Sequence, residues 1–144
     1  MMRNIAKERA LVVNEAREWL GTPYHPCARV KGAGVDCAML PAEVYEACGV
    51  IGHIDVGPYP TDWHLHRSEE RYLAGVTAHA HEVEFPLPGD FVLYRWGRCL
   101  AHGAIVVRWP TIIHAVSGEG VVLANGLAGR LKDRERHFYS LWKG

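Results

Sequence analysis

The chain has 144 residues, 49% of them hydrophobic and 22% charged. That balance suits one globular domain able to bury a sizeable core, so residues 1–144 are read as a single domain. Sixteen Lys and Arg offset sixteen Asp and Glu for a formal net charge of +0, which excludes a nucleic-acid binder with a strongly basic surface. No apolar run reaches the roughly 18 residues that a membrane-spanning helix needs, so no membrane insertion is expected.

Met1–Arg9 meets charged residues before any apolar stretch of signal-peptide length, and the expectation is synthesis in a reducing bacterial cytoplasm. Cysteines stand at positions 27, 37, 48 and 99 with no Cys-x-x-Cys pair, which gives no support to a zinc ribbon or a thioredoxin-like redox site. Nine histidines are many for this length. Those at 64/66 and 79/81 form His-x-His pairs, but residues two apart do not share a helix face and no third ligand stands near. No metal and no cofactor is expected.

Residues 3–20 predict a helix with Ile5, Val12, Ala16, Trp19 and Leu20 inward, stopped by Gly21 and Pro23. Residues 21–35, rich in Gly and Pro, predict a loop. A second helix is expected at about 37–48, with Leu40, Val44, Ala47 and Cys48 on one face and Gly49 ending it. A connection follows over 49–61. A third helix is then expected from a cap at Thr61 or Asp62 to about residue 76. Beyond Pro88-Gly89 the pattern changes to short strands at Asp90–Tyr94, Gly103–Val107, Ile112–Val116 and Val121–Ala124, with a last one near His137–Leu141. Helices first and an antiparallel meander second predict an α+β fold.

Cys37 follows Gly34-Val35-Asp36 at the expected start of the second helix, with Asp36 placed to cap it. Unpaired N–H groups at a helix start favour a thiolate, the nucleophilic form of cysteine. The Cys37 N–H can also face an oxyanion. Pro41 would sit within that helix and interrupt its hydrogen bonding. A cysteine nucleophile needs a base and the base an orienting partner. His102 and His114 are set for this on consecutive strands. A three-residue loop over 108–110 puts His114 opposite Ala104 and diagonal to His102 on one face. A four-residue loop puts the two imidazoles on opposite faces unless a bulge intervenes.

Five segments in this order resemble the NlpC/P60 family of cell-wall cysteine peptidases: Gly21-Thr22-Pro23-Tyr24, Gly34-Val35-Asp36-Cys37, Pro88-Gly89-Asp90-Phe91-Val92-Leu93-Tyr94, His102-Gly103-Ala104-Ile105 and Ile113-His114-Ala115. The likeness runs along roughly residues 10–117. Asp62–Leu73 resembles the phage-encoded branch of that family, found in tail modules and gene-transfer agents. The resemblance implies a papain-like α+β fold, with the nucleophile's helix packed on a C-terminal antiparallel sheet. It implies Cys37 as nucleophile, His102 as base, His114 as orienting residue, and Tyr24 and Asp36 as substrate-binding positions. It further implies hydrolysis of peptidoglycan stem peptides, commonly between D-glutamate and diaminopimelate, by a protein carried with other phage tail proteins. The family usually has serine and glycine after the nucleophile, where this chain has Ala38 and Met39, and a helix-compatible apolar residue in place of Pro41. These departures suggest one rival, a structural tail-tip or assembly protein without activity. An acyltransferase or amidase using the same Cys–His pair is another.

Overall fold

The computed structural model describes residues 4–26, 28–52, 74–96 and 99–143, with the backbone alone for 99–101. Helix α1 spans Ile5–Glu18. The Asn4 side chain caps it by accepting from the Lys7 N–H at 3.0 Å, and Gly21, at φ +87°, turns the chain away after it. Val12, Ala16 and Trp19 face inward as the periodicity predicts, whereas Leu20 is exposed.

The segment 21–35, expected as loop, contains a small antiparallel pair, β1 (Arg29–Val30) and β2 (Gly34–Val35). Helix α2 begins at Met39 and ends at Ala47, two residues later than expected. Ala38 is therefore the cap residue, and Pro41 falls in the first turn, where backbone N–H groups have no helical partner to lose. Met39, Leu40, Ala42, Val44 and Tyr45 are all buried, while Ala47, expected on the inner face, is exposed. The inner face of α2 is centred on Tyr45, whose hydroxyl donates to Gly89 O at 2.7 Å. The third predicted helix lies mostly outside the described residues; 74–77 are helical.

The main sheet contains β3 (His81–Val83), β4 (Phe91–Trp96), β5 (Cys99–Arg108), β6 (Thr111–Val116), β7 (Gly120–Asn125) and β8 (Arg136–Ser140), in the order β3-β8-β4-β5-β6-β7. Every pairing is antiparallel. β4 to β7 form the expected meander, and the last strand returns to lie between β3 and β4. Alternation along the strands gives two apolar faces. Phe91, Leu93, Ile105, Ile113 and Ala115 pack against α1 and α2. Val92, Tyr94, Ala104, Val106 and Ile112 form a second cluster, closed by Leu131 from a short 3-10 turn, Gly129–Leu131. Each fully buried aliphatic side chain in these layers contributes about 1.5–3 kcal/mol of transfer free energy. The arrangement is α+β, as predicted.

Across the free side of β7 the loop after α1 adds one more step to the sheet. The Gly21 N–H donates to Val121 O at 3.0 Å, and the Val121 N–H donates to Thr22 O at 2.9 Å. Gly120 has no room for a side chain, because a Cβ would stand 2.6 Å from Thr22 O. Val35 then bridges Tyr24, and its N–H donates to Pro23 O at 3.1 Å. This chain of contacts fixes residue 36, and hence Cys37, relative to the β6–β7 end of the sheet.

Candidate active site

Asp36 is 1% exposed. Its Oδ1 accepts from the Ala38 N–H at 3.1 Å and the Met39 N–H at 2.9 Å, and its carbonyl accepts from the Leu40 N–H at 3.2 Å. The carboxylate thus serves the start of α2 from two residues before the formal cap and orders the turn that carries Cys37. Cys37 itself is 6% exposed. Cys37 and Cys48 are both free thiols. Cys48 donates to Leu11 O, and burial pushes its pKa up to about 11.

The two imidazoles meet as the parity reading requires, by a bulge and not by loop length. Ile105 pairs with Ile113 and Val106 with Ile112, but Arg108 pairs with Thr111. Val107 is the extra residue, and a two-residue turn, Trp109-Pro110, closes the hairpin. His114 is thereby placed opposite Ala104 and diagonal to His102. Both stand on the sheet face of Tyr94, which pairs directly with His102. His102 Nε2 and His114 Nδ1 are 2.8 Å apart, with the rings at 84°.

Both imidazoles are buried, at 7% exposure each. Burial, with smaller repulsion from His114 and Arg134, lowers the His102 pKa to about 3. Burial lowers that of His114 to about 4. Two neutral imidazoles share one proton along their hydrogen bond at pH 7. A buried neutral imidazole has a ring nitrogen free to accept a proton.

Cys37, His102, His114 and Tyr24 line one cavity of about 650 Å³. Asp36 does not line it; its carboxylate faces the backbone of α2. Ala38 and Met39, where the resembling family usually has serine and glycine, are fully buried in the core and do not line the cavity.

Two residues at this site escape the sequence reading. Trp96, beyond the strand expected at Asp90–Tyr94, ends β4, lines the cavity, and lies 4.9 Å from the His102 ring. Its position two residues beyond Tyr94, on the same strand face, was the available signal. Arg134 has no such signal. Its guanidinium lies 3.6 Å from the Trp96 ring centroid, held by bonds from Nε to Arg130 O at 2.7 Å and from Nη1 to Arg95 O at 3.0 Å.

Among solved structures, the NlpC/P60 domain of the peptidoglycan hydrolase SagA superposes with a TM-score of 0.61 at 21% identity, covering 90% of this chain and 96% of that one. The chain has the NlpC/P60 fold. NlpC1 and NlpC2 of Trichomonas vaginalis share it, with TM-scores of 0.67 and 0.68 at 16% and 15% identity. Against these two, the match covers 96% and 92% of this chain but 45% and 48% of theirs, so it spans about half their length. No protein-family model matches the sequence, and no curated protein does. At such identities the NlpC/P60 likeness is one of architecture, and the chemistry must be argued from the site.

Proposed function

We propose that this protein is a cysteine peptidase that hydrolyses peptide bonds in peptidoglycan stem peptides. The observation that carries this reading is the His102 Nε2 to His114 Nδ1 contact at 2.8 Å, in a cavity that Cys37 also lines. With Nε2 donating to His114, the Nδ1 of His102 is the nitrogen left to accept a proton. In the first half-reaction the Cys37 Sγ attacks the scissile carbonyl and its proton passes to His102. The Cys37 N–H, just ahead of α2, faces the oxyanion, while the Ala38 and Met39 N–H groups are held by Asp36. The C–N bond breaks as His102 returns the proton to the leaving amine, leaving a thioester. Water then attacks the thioester with His102 as base, the carboxylic acid departs, and the proton returns to the thiol. His114 holds His102 in the required tautomer, Tyr24 contacts substrate, and Asp36 acts through the turn that it orders.

The finer reading follows from the resemblance in sequence. The scissile bond is D-glutamyl-diaminopimelate, and the protein is delivered in a phage or phage-like tail. The burial of Ala38 and Met39 favours activity over a purely structural tail role, since neither lines the cavity. The test is incubation with purified muropeptides and mass spectrometry of the products. Shortened stems are expected from the wild type and none from Cys37→Ala. Cleavage undiminished in Cys37→Ala rejects the mechanism, and acyl transfer without shortened stems favours the acyltransferase.

A further inference from the structure

The free edge of β7 is one wall of the cavity that holds Cys37 and His102. Val122, Leu123, Ala124 and Asn125 all line it in succession. β7 ends the sheet, and the loop at Gly21–Thr22 covers only Val121. Since Val121 sends both its N–H and its C=O outward to that loop, strand alternation sends those of Leu123 outward as well, about 7 Å further along the same edge. Val122, between them, stands opposite His114. Among the described residues, no hydrogen bond occupies the Leu123 backbone on this side.

Natural sheet edges are usually blunted by charge, proline or cover. This one reads Val121-Val122-Leu123-Ala124 without a charge or a proline, and Leu123 is 50% exposed. The geometry points to a backbone clamp: Leu123 binds one extended residue of the peptide substrate through paired N–H···O=C bonds, adding it to β7 beside the reacting thiol. The occupant is the substrate's own main chain. The Gly21–Thr22 pair on Val121 is the same two-bond clamp already made within the molecule. Recognition of this kind uses main-chain groups and leaves side-chain choice to the rest of the cavity. The inference rests on the peptidase reading for its ligand class.

The test uses the full chain and a synthetic stem tetrapeptide. In Cys37→Ala, saturating tetrapeptide is expected to slow hydrogen exchange at the Leu123 amide at least tenfold. In the active chain, Leu123→Pro removes the outward N–H without touching a bond to β6, and KM for muropeptides is expected to rise roughly ten- to hundredfold. Leu123→Ala keeps the N–H and is expected to restore KM. Unchanged Leu123 exchange with the peptide bound, or a wild-type KM in a folded Leu123→Pro, overturns the clamp while leaving the peptidase intact. Protection at Leu123 without any cleavage by the wild type supports the clamp and rejects the peptidase. No binding and no cleavage reject both.

Discussion

His102 and His114 are joined at 2.8 Å across two neighbouring strands, and both are buried and uncharged at neutral pH. Their alignment depends on the Val107 bulge, since without the extra residue a two-residue turn sets them on opposite faces. One inserted backbone residue therefore decides whether a base and its orienting partner exist.

That pair makes stability depend on pH. The folded-state pKa values, about 3 for His102 and about 4 for His114, lie below the ordinary imidazole value of 6.5. Below pH 6.5 the unfolded chain binds protons that the folded chain refuses, so stability falls as pH falls from 6.5 toward 4. Each imidazole contributes up to about 1.4 kcal/mol per pH unit to that loss. His137, whose pKa is raised by Glu135 and Glu82, acts in the opposite direction. Comparing the wild type with His114→Gln cancels its effect. Urea denaturation at pH 7, 6 and 5 is expected to give a shallower pH dependence in His114→Gln; identical slopes reject the buried neutral pair.

Catalysis should respond differently to the same position. His114→Ala leaves His102 Nε2 without its partner and frees the ring to take the wrong tautomer or rotamer. A loss of about 10²-fold or more in kcat is expected, with KM little changed. His114→Gln restores an acceptor for the Nε2–H and should recover part of the loss. Steady-state kinetics on muropeptides decide this, and a kcat within twofold of wild type in His114→Ala removes His114 from the mechanism.

The sequence showed α1, the position of α2 and five strands, because periodicity and Gly/Pro punctuation record local structure. It did not show β3, since His81 and Glu82 are exposed and no apolar alternation marks a short strand paired only with β8. Nor did it show that β8 inserts between β3 and β4, a choice made by long-range packing of Phe91 on Tyr139 and Val92 on Phe138. At the site, Cys37, His102 and His114 were legible from residue type and order. The Val107 bulge that aligns the imidazoles was only one of two options, because parity follows from backbone geometry. Arg134 was invisible: it reaches the site through an aromatic ring and two main-chain carbonyls.

Asp36 ties local structure to reactivity. Asp36→Ala removes the acceptor for the Ala38 and Met39 N–H groups inside the protein, at a cost of about 1–2 kcal/mol. The turn bearing Cys37 loosens with it. Thiol mapping by mass spectrometry with iodoacetamide at pH 7.5 should label Cys37 well before Cys48, whose pKa of about 11 keeps it protonated. In Asp36→Ala the Cys37 rate should fall while Cys48 stays slow. Equal labelling of the two thiols in the wild type counts against an activated Cys37.

Arg134 sets the environment of His102 through Trp96. The guanidinium stacks on the indole at 3.6 Å, and the indole lies 4.9 Å from the imidazole. Its positive charge disfavours a second positive charge on His102, in the same direction as burial and the His114 ring. Arg136, further off over Tyr94, and Arg130, in the cavity lining, are further cations near this face, and both remain in the variant. Arg134→Met removes the charge while keeping an apolar cover on Trp96. The His102 pKa then moves up toward its ordinary value, so the acidic limb of the kcat/KM profile shifts to higher pH, and activity falls more at pH 5 than at pH 7.5. Trp96→Ala removes the ring that shields the imidazole pair and should speed solvent exchange of the proton between His102 and His114, read by its downfield NMR signal. A uniform drop in rate across pH in Arg134→Met, with no movement of the limb, assigns Arg134 to packing alone.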